Sequence, residues 1–107
     1  MADHHHFKPG EWPFRDAVNL GVLATLQVME GAPVLFASHD EDDGGWQFLH
    51  SPDLTDDDAG DLRYVCFGCL FERHRGVAEL ADLPLGWQAE RDDAAAPWQR
   101  ALSPPEL

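Results

Sequence analysis

Residues Ser38–His50 read SHDEDDGGWQFLH. On one side lies the apolar run Val34-Leu35-Phe36-Ala37-Ser38, and on the other Trp46-Gln47-Phe48-Leu49-His50. In an extended chain Trp46 and Phe48 share a face. Between the runs stand four consecutive acids, Asp40 to Asp43, and the pair Gly44-Gly45. Glycine lets a chain reverse without steric cost, and carboxylates favour a solvated turn over a core. The stretch therefore reads as a β-hairpin with an acidic tip, which points to an antiparallel sheet.

Upstream, Val18, Leu20, Val22, Ala24, Leu26 and Val28 alternate with Asn19, Gly21, Thr25 and Gln27. Period two predicts a strand near 18–24. Thr25 suits the start of a helical turn over 25–30 that Gly31 closes. Pro33 precedes the first hairpin strand. Residues 51–62 (SPDLTDDDAGDL) form a second acidic loop. From Asp40 to Leu62 there are nine acids and no Lys or Arg. The run YVCFGCLF, Tyr64 to Phe71, is almost wholly apolar, which predicts a central strand buried on both faces. Arg73–Asp82 (RHRGVAELAD) carries Val77, Leu80 and Ala81 on one helical face and stops at Leu83-Pro84. Pro84-Leu85-Gly86 reads as a turn, and Trp87–Arg91 alternates as a last strand.

The ends read differently. Residues 1–15 (MADHHHFKPGEWPFR) form an arm with Phe7, Trp12 and Phe14 as docking points. Residues 92–107 (DDAAAPWQRALSPPEL) form a tail with three prolines, pinned by Trp98. The expected fold is one small α+β domain over 16–91. Its sheet is mainly antiparallel, with about five strands and one or two short helices. A chain of 107 residues fits a single core of this kind.

Charge narrows the partners. Seven basic residues face twenty acidic ones, for a net charge of −13. Lys8 is the only lysine, isoleucine is absent, and the Ala, Arg, Asp, Leu and Gly bias suggests a GC-rich bacterial genome. Such a chain repels phosphate backbones, which argues against nucleic acid. It attracts basic proteins and speeds their encounter at low salt. No run approaches the roughly 18 apolar residues of a membrane span. No basic region followed by an apolar one opens the chain, so a cytoplasmic location is expected.

Several residues carry candidate chemistry. Cys66-Phe67-Gly68-Cys69 matches C-x-x-C, the pattern of a redox dithiol or half a zinc site. Inside a continuous strand, however, positions three apart face opposite ways. The expectation is therefore two buried structural thiols, free in a reducing cytosol. His39, Asp40, His50, Cys66 and Cys69 are the candidate metal ligands, with His74 a further candidate if the fold brings it near. His39-Asp40 is similar to the paired His-Asp of metal phosphohydrolases. Those enzymes need further His and Asp ligands on helices, which this strand-and-turn segment does not offer. Calcium spacing fails: Asp40, Asp42 and Gly44 lack the third alternate ligand of a helix–loop–helix site, and Asp56, Asp58 and Gly60 fail in the same way. With Met1 removed, Ala2-Asp3-His4 would place a free amine, two backbone nitrogens and an imidazole as a square-planar Cu(II) or Ni(II) site. No nucleophile elbow, phosphate loop or dinucleotide fingerprint is present, so no cofactor is expected and no catalytic residue is assigned.

The segments Val28–Val34, Asp42–Phe48, Leu83–Gly86 and Glu90-Arg91 together resemble a group of small bacterial domains of unknown function related to immunity proteins of polymorphic toxin systems. In that group an acidic turn leads into Gly-Trp-x-Phe, followed by a buried segment, a short helix and a Pro-x-Gly turn. The resemblance spans residues 18–91. It departs at Gly44 and Gln47, where many relatives carry Ser and Arg. It implies an α+β domain without an established catalytic site. The functional expectation is a non-enzymatic protein-binding module with Asp40, Glu41, Asp42, Asp43 and Trp46 as partner-binding candidates. The alternative is a metal-binding protein or metal-dependent enzyme using the His and Asp residues of the 39–50 hairpin. A third expectation is a homodimer in which Trp12, Trp98 and the apolar arms cover a neighbour's sheet edge.

Overall fold

The first strand, β1 (Gly21–Thr25), buries Val22 and Ala24 and passes directly into the one-turn helix α1 (Leu26–Met29). In the computed structural model, which describes residues 7, 8, 10–54 and 60–104, β2 (Phe36–His39) and β3 (Trp46–Leu49) follow. Next come β4 (Leu62–Cys66) and the helix α2 (Phe67–Arg73). A 3₁₀-helix (Arg75–Leu80), β5 (Trp87–Glu90) and β6 (Gln99–Leu102) complete the order. The six strands make one sheet in the order β4-β1-β3-β2-β5-β6.

The acidic stretch does form a hairpin. β2 and β3 pair antiparallel with Phe36 opposite Leu49 and His39 opposite Trp46. Gly44 takes φ +73°, a left-handed conformation that costs glycine least, and its N–H closes on the Asp40 carbonyl. The sheet is α+β in class but mixed in direction. β1 runs parallel to β3, while every other pair is antiparallel. It has six strands rather than about five, because the segment expected as a tail supplies β6. That strand pairs with β5, and Arg91 lays its guanidinium 4.2 Å over the Trp98 ring just before it.

The stretch Tyr64 to Phe71 departs most from expectation. It is not one central strand. β4 ends at Cys66 and lies at the sheet edge, where Tyr64 is 76% exposed. The chain then turns into α2, burying Phe67, Gly68, Leu70 and Phe71. Apolarity alone cannot separate a buried strand from a buried helix. Here the helix wins because Phe67, Leu70 and Phe71, at spacings of three and four, share one face. The following segment, expected as a short helix over 73–82, is a 3₁₀-helix over Arg75–Leu80, with Val77 and Leu80 buried.

Register explains the core. Ala24, Phe48, Ala37 and Ala89 line up across four adjacent strands, all of them fully buried. Three alanines beside one phenylalanine leave room for the covering layer to reach the sheet. Phe67 fills that room, its ring 5.5 Å from Phe48 and 5.9 Å from Trp46. Burying a side chain of this size is worth about 1.5–3 kcal/mol. The N-terminal arm joins the same layer. Phe14 is buried between Phe67 (4.4 Å), Trp46 (5.3 Å) and Trp12 (5.4 Å), and Phe7 packs on Trp12 and Phe71. Ala2-Asp3-His4, the copper candidate, and Asp56 and Asp58 of the second acidic loop lie outside the described residues.

Candidate functional site

Stacking fixes His39 before any chemistry is considered. Its ring lies on Trp46 with centroids 4.0 Å apart and planes 11° from parallel. Cross-strand register puts the two opposite each other on β2 and β3. The ring Nδ1 sits 2.7 Å from the Leu83 carbonyl. A carbonyl only accepts, so Nδ1 carries the proton and Nε2 holds the lone pair in neutral His39. Trp46 is held from the other side: its Nε1–H donates to Asp16 Oδ1 at 3.1 Å.

Both residues line a groove of about 650 Å³. The arm contributes Pro13, Arg15 and Asp16, and the Ala81–Leu85 segment, bonded to His39 through the Leu83 carbonyl, contributes most of the rest. Of the apolar lining, Leu85 is 54% exposed, whereas Trp46 and Leu83 are buried. The charged lining is two carboxylates, Asp16 and Asp82, and one guanidinium, Arg15. Arg100 donates to Asp82 at 2.8 Å, and this bond and charge hold the Asp82 carboxyl below its ordinary range. Glu41 extends the acidic rim. Its carboxylate lies 3.2 Å from where a β-carbon on Gly86 would stand, and Gly86, at φ +81°, has none.

The acids of the hairpin tip divide into two kinds. Asp40 turns inward: Oδ1 accepts from the Ser38 hydroxyl at 3.0 Å and Oδ2 from Gln47 Nε2 at 2.9 Å. Asp43 braces the turn through the Gly45 N–H at 2.8 Å. Glu41 and Asp42 are exposed, with no ion-pair partner among the described residues. The partner-binding candidates are thus two braces of the turn, two free carboxylates and a buried ring, Trp46, that edges the groove.

The metal candidates do not converge on one site, although Cys66 and Cys69 lie next to each other. His50 bonds Thr25 Oγ1 through both its backbone N–H (3.3 Å) and its ring Nδ1 (2.9 Å), and Thr25 is fully buried. His74 Nε2 donates to the Val28 carbonyl at 2.8 Å. Cys66 donates its S–H to the Val18 carbonyl at 3.4 Å. Among the described residues no group of three His, Cys, Asp or Glu side chains is placed to hold a metal ion. None of their helices is long and apolar enough to cross a membrane.

Asp16, Leu83 and Leu85 did not stand out in the sequence. Asp16 lies thirty residues from the Trp46 ring it anchors, and Leu83 acts through a backbone oxygen that any residue supplies. Pro84-Leu85-Gly86 was legible as a turn, but nothing local tied that turn to the hairpin. No protein-family model, no curated protein and no solved structure matches the chain.

Proposed function

We propose that the protein is a non-enzymatic binding module for a basic protein partner, of the immunity-protein kind that its Gly-Trp-x-Phe hairpin resembles. One observation carries this reading: an open groove lined by Pro84 and the exposed Leu85 over the buried Trp46 and Leu83 lies beside Glu41, a carboxylate with no ion-pair partner among the described residues. Side chains inserted into apolar pockets supply most of the affinity of protein interfaces, and surrounding charge supplies steering and selectivity. A long basic side chain meets both needs, with its methylene stem along Pro84 and Leu85 and its cation at the Asp16 and Glu41 rim. The net charge of −13 adds long-range attraction for such a partner.

The metal reading has less support. Both oxygens of Asp40 are engaged by Ser38 and Gln47, and His50 is engaged by Thr25. Elemental analysis of untagged protein, with thermal shifts in Zn²⁺, Mn²⁺ and Ca²⁺, separates the two.

The test is affinity capture from the native host at low salt, followed by titration of the purified captured protein by calorimetry. The expected partner is basic. Its Kd rises about tenfold or more with salt and in Glu41→Gln/Asp42→Asn, and Leu85→Asp abolishes binding. A captured protein that binds wild type and both variants equally overturns the reading, as does a capture that recovers no basic protein.

A further inference from the structure

The C-x-x-C pair changes meaning once the strand is seen to end at Cys66. In a continuous strand the two α-carbons would stand roughly 10 Å apart, with side chains on opposite faces. The chain instead turns at this point. Cys66 keeps extended backbone angles, φ −66° and ψ 131°, and is the residue capping α2, so Cys69 falls in the first helical turn. Helical geometry brings positions three apart to about 5 Å between α-carbons. That lies inside the range of roughly 4.4–6.8 Å that a disulfide spans.

The side chains already meet. The Cys66 thiol lies near enough to Cys69 to add, through charge and hydrogen bonding, to the rise that burial gives the Cys69 pKa. Cys66 gives its own proton to the Val18 carbonyl, so the proton between the sulfurs is that of Cys69. Both residues are half-buried, which leaves the pair within reach of a small reagent. Joining the sulfurs also strands no buried acceptor. When Cys66 loses its proton, the Val18 carbonyl still accepts from the Gly68 N–H at 2.8 Å. The adjacent Phe67 N–H to Leu20 carbonyl bond holds the strand end in register throughout.

We propose that Cys66 and Cys69 form a reversible dithiol–disulfide site that exchanges with small-molecule disulfides such as oxidised glutathione. Cys66 loses its proton to solvent, and the thiolate attacks one sulfur of the external disulfide. That S–S bond breaks, a mixed disulfide forms on Cys66, and one reagent thiolate leaves and takes up a proton. The Cys69 S–H donates to the Cys66 sulfur, where it holds negative charge as the thiolate forms. Cys69 then releases its proton and attacks Cys66 Sγ, expelling the second reagent thiol. Two protein thiols are oxidised to one disulfide, and the reagent disulfide is reduced to two thiols.

The test is incubation of the full chain with oxidised glutathione, read by intact mass and by peptide mapping after thiol blocking. Wild type is expected to lose both free thiols, retain no glutathione and yield one peptide with an internal Cys66–Cys69 bridge that dithiothreitol reverses. Cys69→Ser, checked for folding by circular dichroism, is expected to retain one glutathione on Cys66. Wild type that keeps both thiols free, carries stable glutathione, or cross-links to a second chain overturns the proposal. The wild-type result decides whether or not the variant folds.

Discussion

Asp40 and Asp42 are two residues apart on one turn and play opposite parts. Asp40 takes hydrogen bonds from Ser38 and Gln47, and Asp42 takes none from the described residues. Removing an ionised acceptor leaves its donors unmatched, so Asp40→Ala is expected to cost about 2 kcal/mol. Glu41→Gln and Asp42→Asn should stay within about 0.5 kcal/mol, because surface changes without partners rarely do more. Urea titration of the three variants checks the contrast. A solvated tip was the natural reading of DEDD, because composition does not say which of four like residues folds back. At Cys69 the effect is one of pH. Burial raises this thiol first, and the hydrogen-bonded Cys66 adds to the rise. The unfolded chain then ionises at lower pH than the native one. Stability is full below the ordinary thiol range and is lost as the pH rises through the raised value. Cys69→Ser should flatten that alkaline decline in thermal melts of reduced protein.

At the level of elements, what could be read in advance followed periodicity. Trp46 and Phe48 alternate with Gln47 and Leu49, and β3 forms there, paired antiparallel with β2 as a hairpin. Val22 and Ala24 alternate in the same way, and β1 forms, although it begins at Gly21 rather than Val18. Thr25 marks the start of the helical turn as expected, but its hydroxyl serves His50 instead of capping that helix. YVCFGCLF has no polar punctuation, so the switch from strand to helix at Cys66 was invisible to a pattern of apolar residues. β6 escaped for the converse reason. All four of its residues are exposed, so it shows no alternation to read. It holds its place through pairing with β5 and the Arg100 contacts to Asp82 and the Glu79 carbonyl. The groove inherits this difficulty, being assembled from the arm, the hairpin and the Ala81–Leu85 segment. Deleting residues 97–107 should leave β5 as a bare edge beside the hairpin. Unpaired edges template association. Sedimentation or light scattering should show more concentration-dependent association of the truncated chain than of wild type at equal concentration.

For the whole molecule, the net charge of −13 acts on folding and on binding with opposite signs. Self-repulsion opposes the compact state, and salt screens it within about 10 Å at 0.1 M. Raising salt is therefore expected to raise the melting temperature while it weakens the proposed basic partner; differential scanning fluorimetry across a sodium chloride series reads the first effect. Two opposing salt slopes in one protein would separate a charge kept for recognition from one kept for solubility alone. The strand order carries a consequence in time. β1 is made first yet lies between β4 and β3, both made later, and its parallel partner cannot reach it until the intervening hairpin has left the ribosome. The last of these strands to be made, β6, pairs only with β5, so β5 meets β2 on one side while its other edge stays open until residues 99–102 have emerged. A ribosome stalled just before Gln99 emerges would therefore hold a five-stranded sheet whose open edge is β5, the strand beside the acidic hairpin.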